Sequence, residues 1–159
     1  MDETAKKSRR DLTAMTGLEA MRSVIDRPGG SANIAKTLQF RLVEVNEGHA
    51  IFEGEPFDGL RNPYGMVHGG WALTLIDSAC GCAAHTTLPP GFAYTTVETK
   101  VNFVRPIFPN TGIVRAEGRV LSPGRTVITA DAKITDPQGK LLAHGTSTLL
   151  VLKPQAKES

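Results

Sequence analysis

Between Asn62 and Ala84 the chain reads NPYGMVHGGWALTLIDSACGCAA. Pro63 and Gly65 mark a loop, His68-Gly69-Gly70 follows, and nothing then breaks a helix until Pro89-Pro90-Gly91. On a wheel of about 100° per residue, the side opposite Asp77 carries Trp71, Ala72, Leu75, Ala79, Cys82 and Ala83, and the wheel is apolar nearly all round. A helix of that kind cannot lie on a surface, so the rest of the chain has to cover it.

The remaining segments supply the cover. Leu18, Met21, Val24 and Ile25 recur at helical spacing in Gly17 to Asp26, which predicts a short amphipathic helix ended by Arg27-Pro28-Gly29-Gly30. A second helical turn is expected over Ser31 to Thr37, both helices packing on the rim of a sheet or on a partner subunit. From Leu38 the period becomes two: Leu38, Phe40 and Leu42 alternate with Gln39 and Arg41, Asn46-Glu47-Gly48 turns the chain, and Ala50 to Glu55 returns as a hairpin. Pro56 to Met66 is the loop that delivers Asn62 to the helix start. After the helix come strands over Ala93–Val104, Gly112–Leu121, Arg125–Thr135 and Lys140–Leu152, with a type I turn at Asp136-Pro137-Gln138-Gly139. Short turns imply antiparallel neighbours. The predicted class is therefore α+β, a curved antiparallel sheet of about six strands wrapped round one long buried helix.

A chain of 159 residues, 40% hydrophobic and 21% charged, suits one globular domain, here over 17–153 between a flexible tail at 1–16 and a short polar tail at 154–159. A net charge of +2 gives no argument for nucleic acid, and Lys6, Lys7, Arg9 and Arg10 read as part of a frayed tail. No apolar run is long enough for a membrane span and no signal-peptide core is present, so no membrane and a cytoplasmic location are expected. Cys80 and Cys82 lie two apart on one helix, pointing different ways, which suits small buried hydrophobes rather than a disulfide or a zinc site. His49, His85 and His144 make no metal spacing and no phosphate-cradling glycine loop occurs, so neither metal nor cofactor is expected.

Asp77 is the one carboxylate in the apolar run, and Gly70, Leu73, Thr74, Cys80, Gly81 and Ala84 lie one and two turns from it. Burying an ionised carboxylate without partners costs several kcal/mol. A lone buried Asp is more commonly a structural acid; the strip of mostly small residues beside it and the helix start upstream favour a functional one. Gly69 and Gly70 stand where free N–H groups and the helix dipole attract negative charge, and Gly69 lets an oxygen approach the backbone closely. That is the makeup of an oxyanion hole, flanked by Asn62 and His68, whose plainer roles are a satisfied loop Asn and a helix cap. Gly69 and Asp77 are eight residues apart, roughly 12 Å along a helix at about 1.5 Å per residue. One helix cannot bring both to one carbonyl. Two antiparallel copies can, so a catalytic site here requires a dimer.

Asn62, His68-Gly69-Gly70 and Asp77 resemble the N…G-x-x-H-G-G…D signature of hotdog-fold acyl-CoA thioesterases of the phenylacetate-degradation (PaaI-like) branch, a likeness covering roughly Ile34 to Leu152. The resemblance implies the hotdog fold and hydrolysis of an acyl-CoA thioester, CoA being part of the substrate. By analogy, the Gly69 N–H polarises the carbonyl, Asn62 binds the same oxygen or a water, and Asp77 of the opposite subunit is nucleophile or general base. His68 orients the loop or contacts the sulfur, with a structural role at least as common. Relatives place Ser or Thr on the strand after the helix; Thr96 is the best match, with Thr95 adjacent. Some relatives have Thr four residues after the acid, where this chain has Gly81, which implies more acyl space. Gly70 belongs with the helix start, and Arg105 and Arg125, at strand ends, are candidates for the CoA phosphates. Phe103, with Trp71, Phe57 and Leu60, hints at an apolar pocket for an aryl or medium-chain group. A homodimer with shared sites, assembled as a dimer of dimers, is the expected state.

Two other readings share the fold. A non-catalytic acyl-CoA-binding or regulatory module would tolerate loss of the acid, and Asp77, Asn62 and Gly69 together speak against it. A hydratase or dehydratase needs a differently placed His with an acidic partner.

Overall fold

The computed structural model describes residues 14–26 and 32–154. The tail expected over 1–16 lies almost wholly outside that range, as do the helix stop at Arg27–Gly30 and most of the C-terminal tail.

Helix α1 spans Gly17–Asp26. Thr16 and Glu19 form a reciprocal cap at its start: the Thr16 N–H donates to Glu19 Oε2 at 2.9 Å and the Glu19 N–H donates to Thr16 Oγ1 at 3.3 Å. The short α2 is Asn33–Thr37. The first strand begins two residues later than the alternation predicts, because Gln39 takes a left-handed φ of 53° and turns the chain before Phe40. Strands β1 (Phe40–Asn46) and β2 (His49–Gly54) form the expected hairpin, closed at Gly48 with φ 68°. The long helix α3 is Gly69–His85. Strands β3 (Ala93–Phe103), β4 (Val114–Ser122), β5 (Val127–Thr135) and β6 (Leu141–Leu152) complete one six-stranded sheet of order β1-β2-β4-β5-β6-β3, every pairing antiparallel.

This is the hotdog arrangement, a sheet wrapped on one helix with a short helix before it. One connection departs from the simple reading of short turns. β3 does not pair with β4; it runs at the outer edge against β6, and residues 104–113 carry the chain across to β4.

The sheet meets α3 with small side chains. Ala116, Ala130, Ala132 and Ala143 are buried, and at Gly118 a Cβ would collide with the backbone of Ala79 and lie 2.9 Å from the amide nitrogen of Cys80. Helix and sheet are thus in backbone-to-backbone contact at the middle of α3, a spacing that only glycine permits. Leu75, Ile76, Ala79 and Cys80 are fully buried as a result. Trp71 and Leu60 also belong to this core rather than to a pocket, Trp71 donating its indole N–H to Leu38 O at 2.8 Å. At the far end of α3 the Gly17 N–H donates to Leu88 O at 2.9 Å, which docks α1 on the helix exit.

Candidate active site

α3 is covered on its sheet side, but Leu73 remains 38% exposed and Thr74 and Asp77 are half-buried along one strip. β3 runs beside that strip. Thr96 donates its hydroxyl to Asp77 Oδ1 at 2.9 Å and Thr99 donates to the same oxygen at 3.2 Å. The Thr99 hydroxyl lies 2.9 Å from Ser147 Oγ, and buried Ser147 in turn donates to Glu98 O at 3.0 Å. One carboxylate oxygen is therefore held by two hydroxyls, with Ser147 Oγ beside the second, while Oδ2 has no partner among the described residues.

Two threonines three apart on a strand should face opposite sides of a sheet. They share a face because the register against β6 slips between Thr96 and Glu98, leaving Val97 as an extra, outward residue. The half-buried positions run Tyr94, Thr96 and then Thr99, Val101. Such bulges re-aim side chains. Alternation alone therefore reaches Thr96 and misses Thr99. Thr95, adjacent to Thr96, is exposed on the opposite face.

The neighbouring ionisable groups are neutral. Burial, and then the charges of Asp131 and Asp77, push the Cys80 thiol up to about 12; burial and Asp77 push Cys82 up to about 12. Neither is a thiolate nucleophile. Burial likewise raises the Tyr94 phenol. Asp77 lines a cavity of about 330 Å³ between α3, the N-terminal helices and β1, walled by Met21, Val24, Ile34, Leu42 and Phe52.

At the start of α3, His68 is the N-cap, its Nδ1 accepting from the Gly70 N–H at 2.9 Å. That takes the Gly70 donor and leaves the Gly69 N–H without a partner among the described residues. The Phe103 ring lies over Gly69; a Cβ there would be 2.9 Å from its Cζ. Asn62 Oδ1 accepts from the N–H groups of Tyr64 and Met66 at 2.9 and 3.2 Å, so its amide nitrogen is the end left to donate outward. Asn62, His68, Gly69, Phe103 and Arg105 line one cavity of about 200 Å³, Arg105 donating to Leu141 O at 2.6 Å.

Within one chain, then, the helix-start donors and Asp77 belong to different cavities. Arg125 belongs to neither. It lines a third, about 580 Å³, with Lys153 and Phe92 near the exit of α3, apart from Arg105. The space expected above Gly81 is filled by the Tyr94 phenol, whose hydroxyl a Cβ at Gly81 would strike. Sequence reasoning missed Thr99, Ser147 and Tyr94. The signal for Ser147 was a lone polar residue at an inward position of β6, between Gly145 and Leu149.

A family model described as Thioesterase superfamily matches residues 64–143, from the loop before α3 to the start of β6. A Saccharolobus solfataricus protein named as a candidate esterase is 32% identical over 126 residues, covering 78% of this chain and 88% of its own. The 1,4-dihydroxy-2-naphthoyl-CoA hydrolase of Listeria monocytogenes is 26% identical over 120 residues, covering 76% and 96%. Among solved structures, a Ralstonia eutropha protein titled as phenylacetic acid degradation-related superposes with a TM-score of 0.73 at 25% identity, covering 85% of this chain and 98% of that one.

Proposed function

The chain belongs to the Thioesterase superfamily, a family of thioester hydrolases, and from that premise we propose that it hydrolyses an aryl- or medium-chain acyl-CoA to the free acid and CoA. The observation that carries this reading is Asp77: a carboxylate with one oxygen tied by Thr96 and Thr99, the other without a partner among the described residues, on the wall of an apolar cavity. Two hydroxyl donors fix its orientation without cancelling its charge, which suits a base or a nucleophile. The relative that acts on 1,4-dihydroxy-2-naphthoyl-CoA supports an aryl thioester as substrate.

In the proposed reaction the Gly69 N–H and the Asn62 amide nitrogen face the carbonyl oxygen, where negative charge develops. As base, Asp77 takes a proton from water while the water oxygen bonds to the carbonyl carbon; collapse breaks the C–S bond and the thiolate regains that proton. As nucleophile, Asp77 bonds to the carbonyl carbon and expels the thiolate, and water then opens the anhydride. Label on Asp77 after a single turnover in ¹⁸O-labelled water establishes the anhydride route, since only attack of water on the aspartyl carbonyl of that intermediate places it there.

The reading includes a homodimer, because the two halves of the site line separate cavities in one protomer. Its support is the edge strand β3: eleven residues whose backbone, among the described residues, pairs as a strand with β6 alone, with Val97 63% and Phe103 60% exposed. A free edge of that length invites a partner strand. Leu121, Val127, Leu150 and Leu152 are also exposed and would suit a second, dimer-of-dimers contact. CoA phosphates are assigned to Arg105 and Arg125, which in a dimer need not come from the same chain.

Thiol release from a panel of acyl-CoAs is the test. Asp77→Asn should fold and lose about 10²- to 10⁴-fold in kcat. A rate near wild type would remove Asp77 from the mechanism. Tight acyl-CoA binding with no thiol released would make this a binding module instead.

A further inference from the structure

Tyr94 lines the cavity beside Asp77. Its ring presses on α3 where Gly81 has no side chain: a Cβ at residue 81 would meet the phenol oxygen and lie 2.8 Å from Cζ. Gly81 is four residues, about one helical turn, beyond Asp77. Tyr94 is two residues before Thr96 on the same half-buried face of β3, so one strand face delivers both the phenol and the hydroxyl that holds the acid. His85 lies beside the ring, centroids 5.8 Å apart, and its buried Nδ1 has no partner among the described residues. Burial lowers the His85 pKa, so beside the phenol stands a neutral imidazole. The phenol is therefore seated on α3, over Gly81 and beside His85 one turn further on. In size, about 330 Å³ is about twice an apolar cavity of about 150 Å³ that takes benzene.

We propose that Tyr94, seated over Gly81, is the specificity-determining residue of the acyl site: it sets the depth of the cavity, so that a two-ring aryl or comparable alkyl group presses on the phenol while a single ring stops short of it. This rests on the acyl-CoA thioesterase reading and deepens it. The contact works in both directions. Shortening residue 94 opens the slot over Gly81, whereas a side chain at 81 drives the phenol into the acyl space. Because the obstructing atom is the far end of a side chain, the ring can move without displacing the helix.

The experiment compares kcat/KM for 2-naphthoyl-CoA and benzoyl-CoA in wild type, Tyr94→Val, Gly81→Ser and the double variant Tyr94→Val/Gly81→Thr, each checked for fold by circular dichroism. Tyr94→Val should raise the naphthoyl-to-benzoyl ratio about tenfold or more, and Gly81→Ser should lower it by a similar factor. The double variant, which refills the slot from the helix side, should return the ratio toward wild type. A merely structural tyrosine would lower both rates together and leave the ratio unmoved. A ratio constant within about twofold in a folded, active Tyr94→Val protein overturns the proposal, whether or not Gly81→Ser folds. If wild type releases thiol from no acyl-CoA at all, the thioesterase reading falls and this inference falls with it; release with an unmoved ratio overturns this inference alone.

Discussion

Asp77 is held by hydroxyls and, among the described residues, by no cation. An Arg or Lys partner would steady the carboxylate but stabilise its charge in the ground state, at the expense of its reactivity. Threonine hydroxyls steady it more lightly, and a hydrogen bond to a charged group is worth about 1.5–3 kcal/mol. Thr99→Val should therefore lower kcat about tenfold with KM little changed, and Thr99→Ser should restore it. Steady-state kinetics on the two variants decide this; equal losses in both would assign Thr99 to packing instead. Thr96 was legible because a hydroxyl on the strand after the helix is part of the resembled pattern. Thr99 was not, because a bulge is a property of strand pairing, and no window of the sequence shows that Val97 has no partner on β6.

At the scale of elements, α3 was legible from end to end: an unbroken apolar wheel needs no knowledge of its neighbours. Its start is held by His68, and loss of an N-cap costs about 0.5–2 kcal/mol. His68→Ala should lose that stability in denaturant unfolding, and His68→Asn, which keeps an acceptor, should recover it. If His68→Asn is as stable as wild type yet slower by 100-fold or more (about the effect of a lost acid–base group), His68 has a chemical role beyond the cap. Gly118 makes a second test, because a methyl there has only backbone to displace. Gly118→Ala should cost about 1–3 kcal/mol, read as a lower calorimetric Tm. The placement of β3 was the illegible part. Local alternation identifies a strand but not its neighbour, and the 104–113 crossing puts β3 beyond β6 by a choice made across the whole sheet.

For the whole molecule, the shared-site reading makes a prediction that neither half can satisfy alone. Gly69→Pro removes the N–H at the first helical position, where proline is well tolerated, and His68 with ψ 133° already has the extended backbone that precedes proline. Gly69→Pro and Asp77→Asn should each be inactive; unfolded and refolded together at equal amounts, they should regain about a quarter of the wild-type rate through mixed dimers with one intact site. No recovery, or an active monomer in sedimentation, would contradict the shared site. Acid should unfold the protein in two stages. Burial keeps His85 neutral below its usual 6.5, so the unfolded chain binds the extra proton and stability falls as pH drops beneath that value. Burial also opposes ionisation of Glu117, yet hydrogen bonds from Lys133, Arg119 and His49 hold its pKa at about 2. The stability it adds is complete above about 4.5 and disappears as pH falls through about 2, so Glu117→Gln should flatten that second stage in a pH series of Tm. The contact at Gly118 has a consequence for how such a molecule changes over time. It seats Asp77 near a mounting of main-chain atoms at the middle of α3, whereas the cavity beside the acid is walled by side chains, Met21, Val24 and Tyr94 among them. On the proposed reading, the side chains that meet the acyl group can be exchanged while the backbone that carries the acid stays in place.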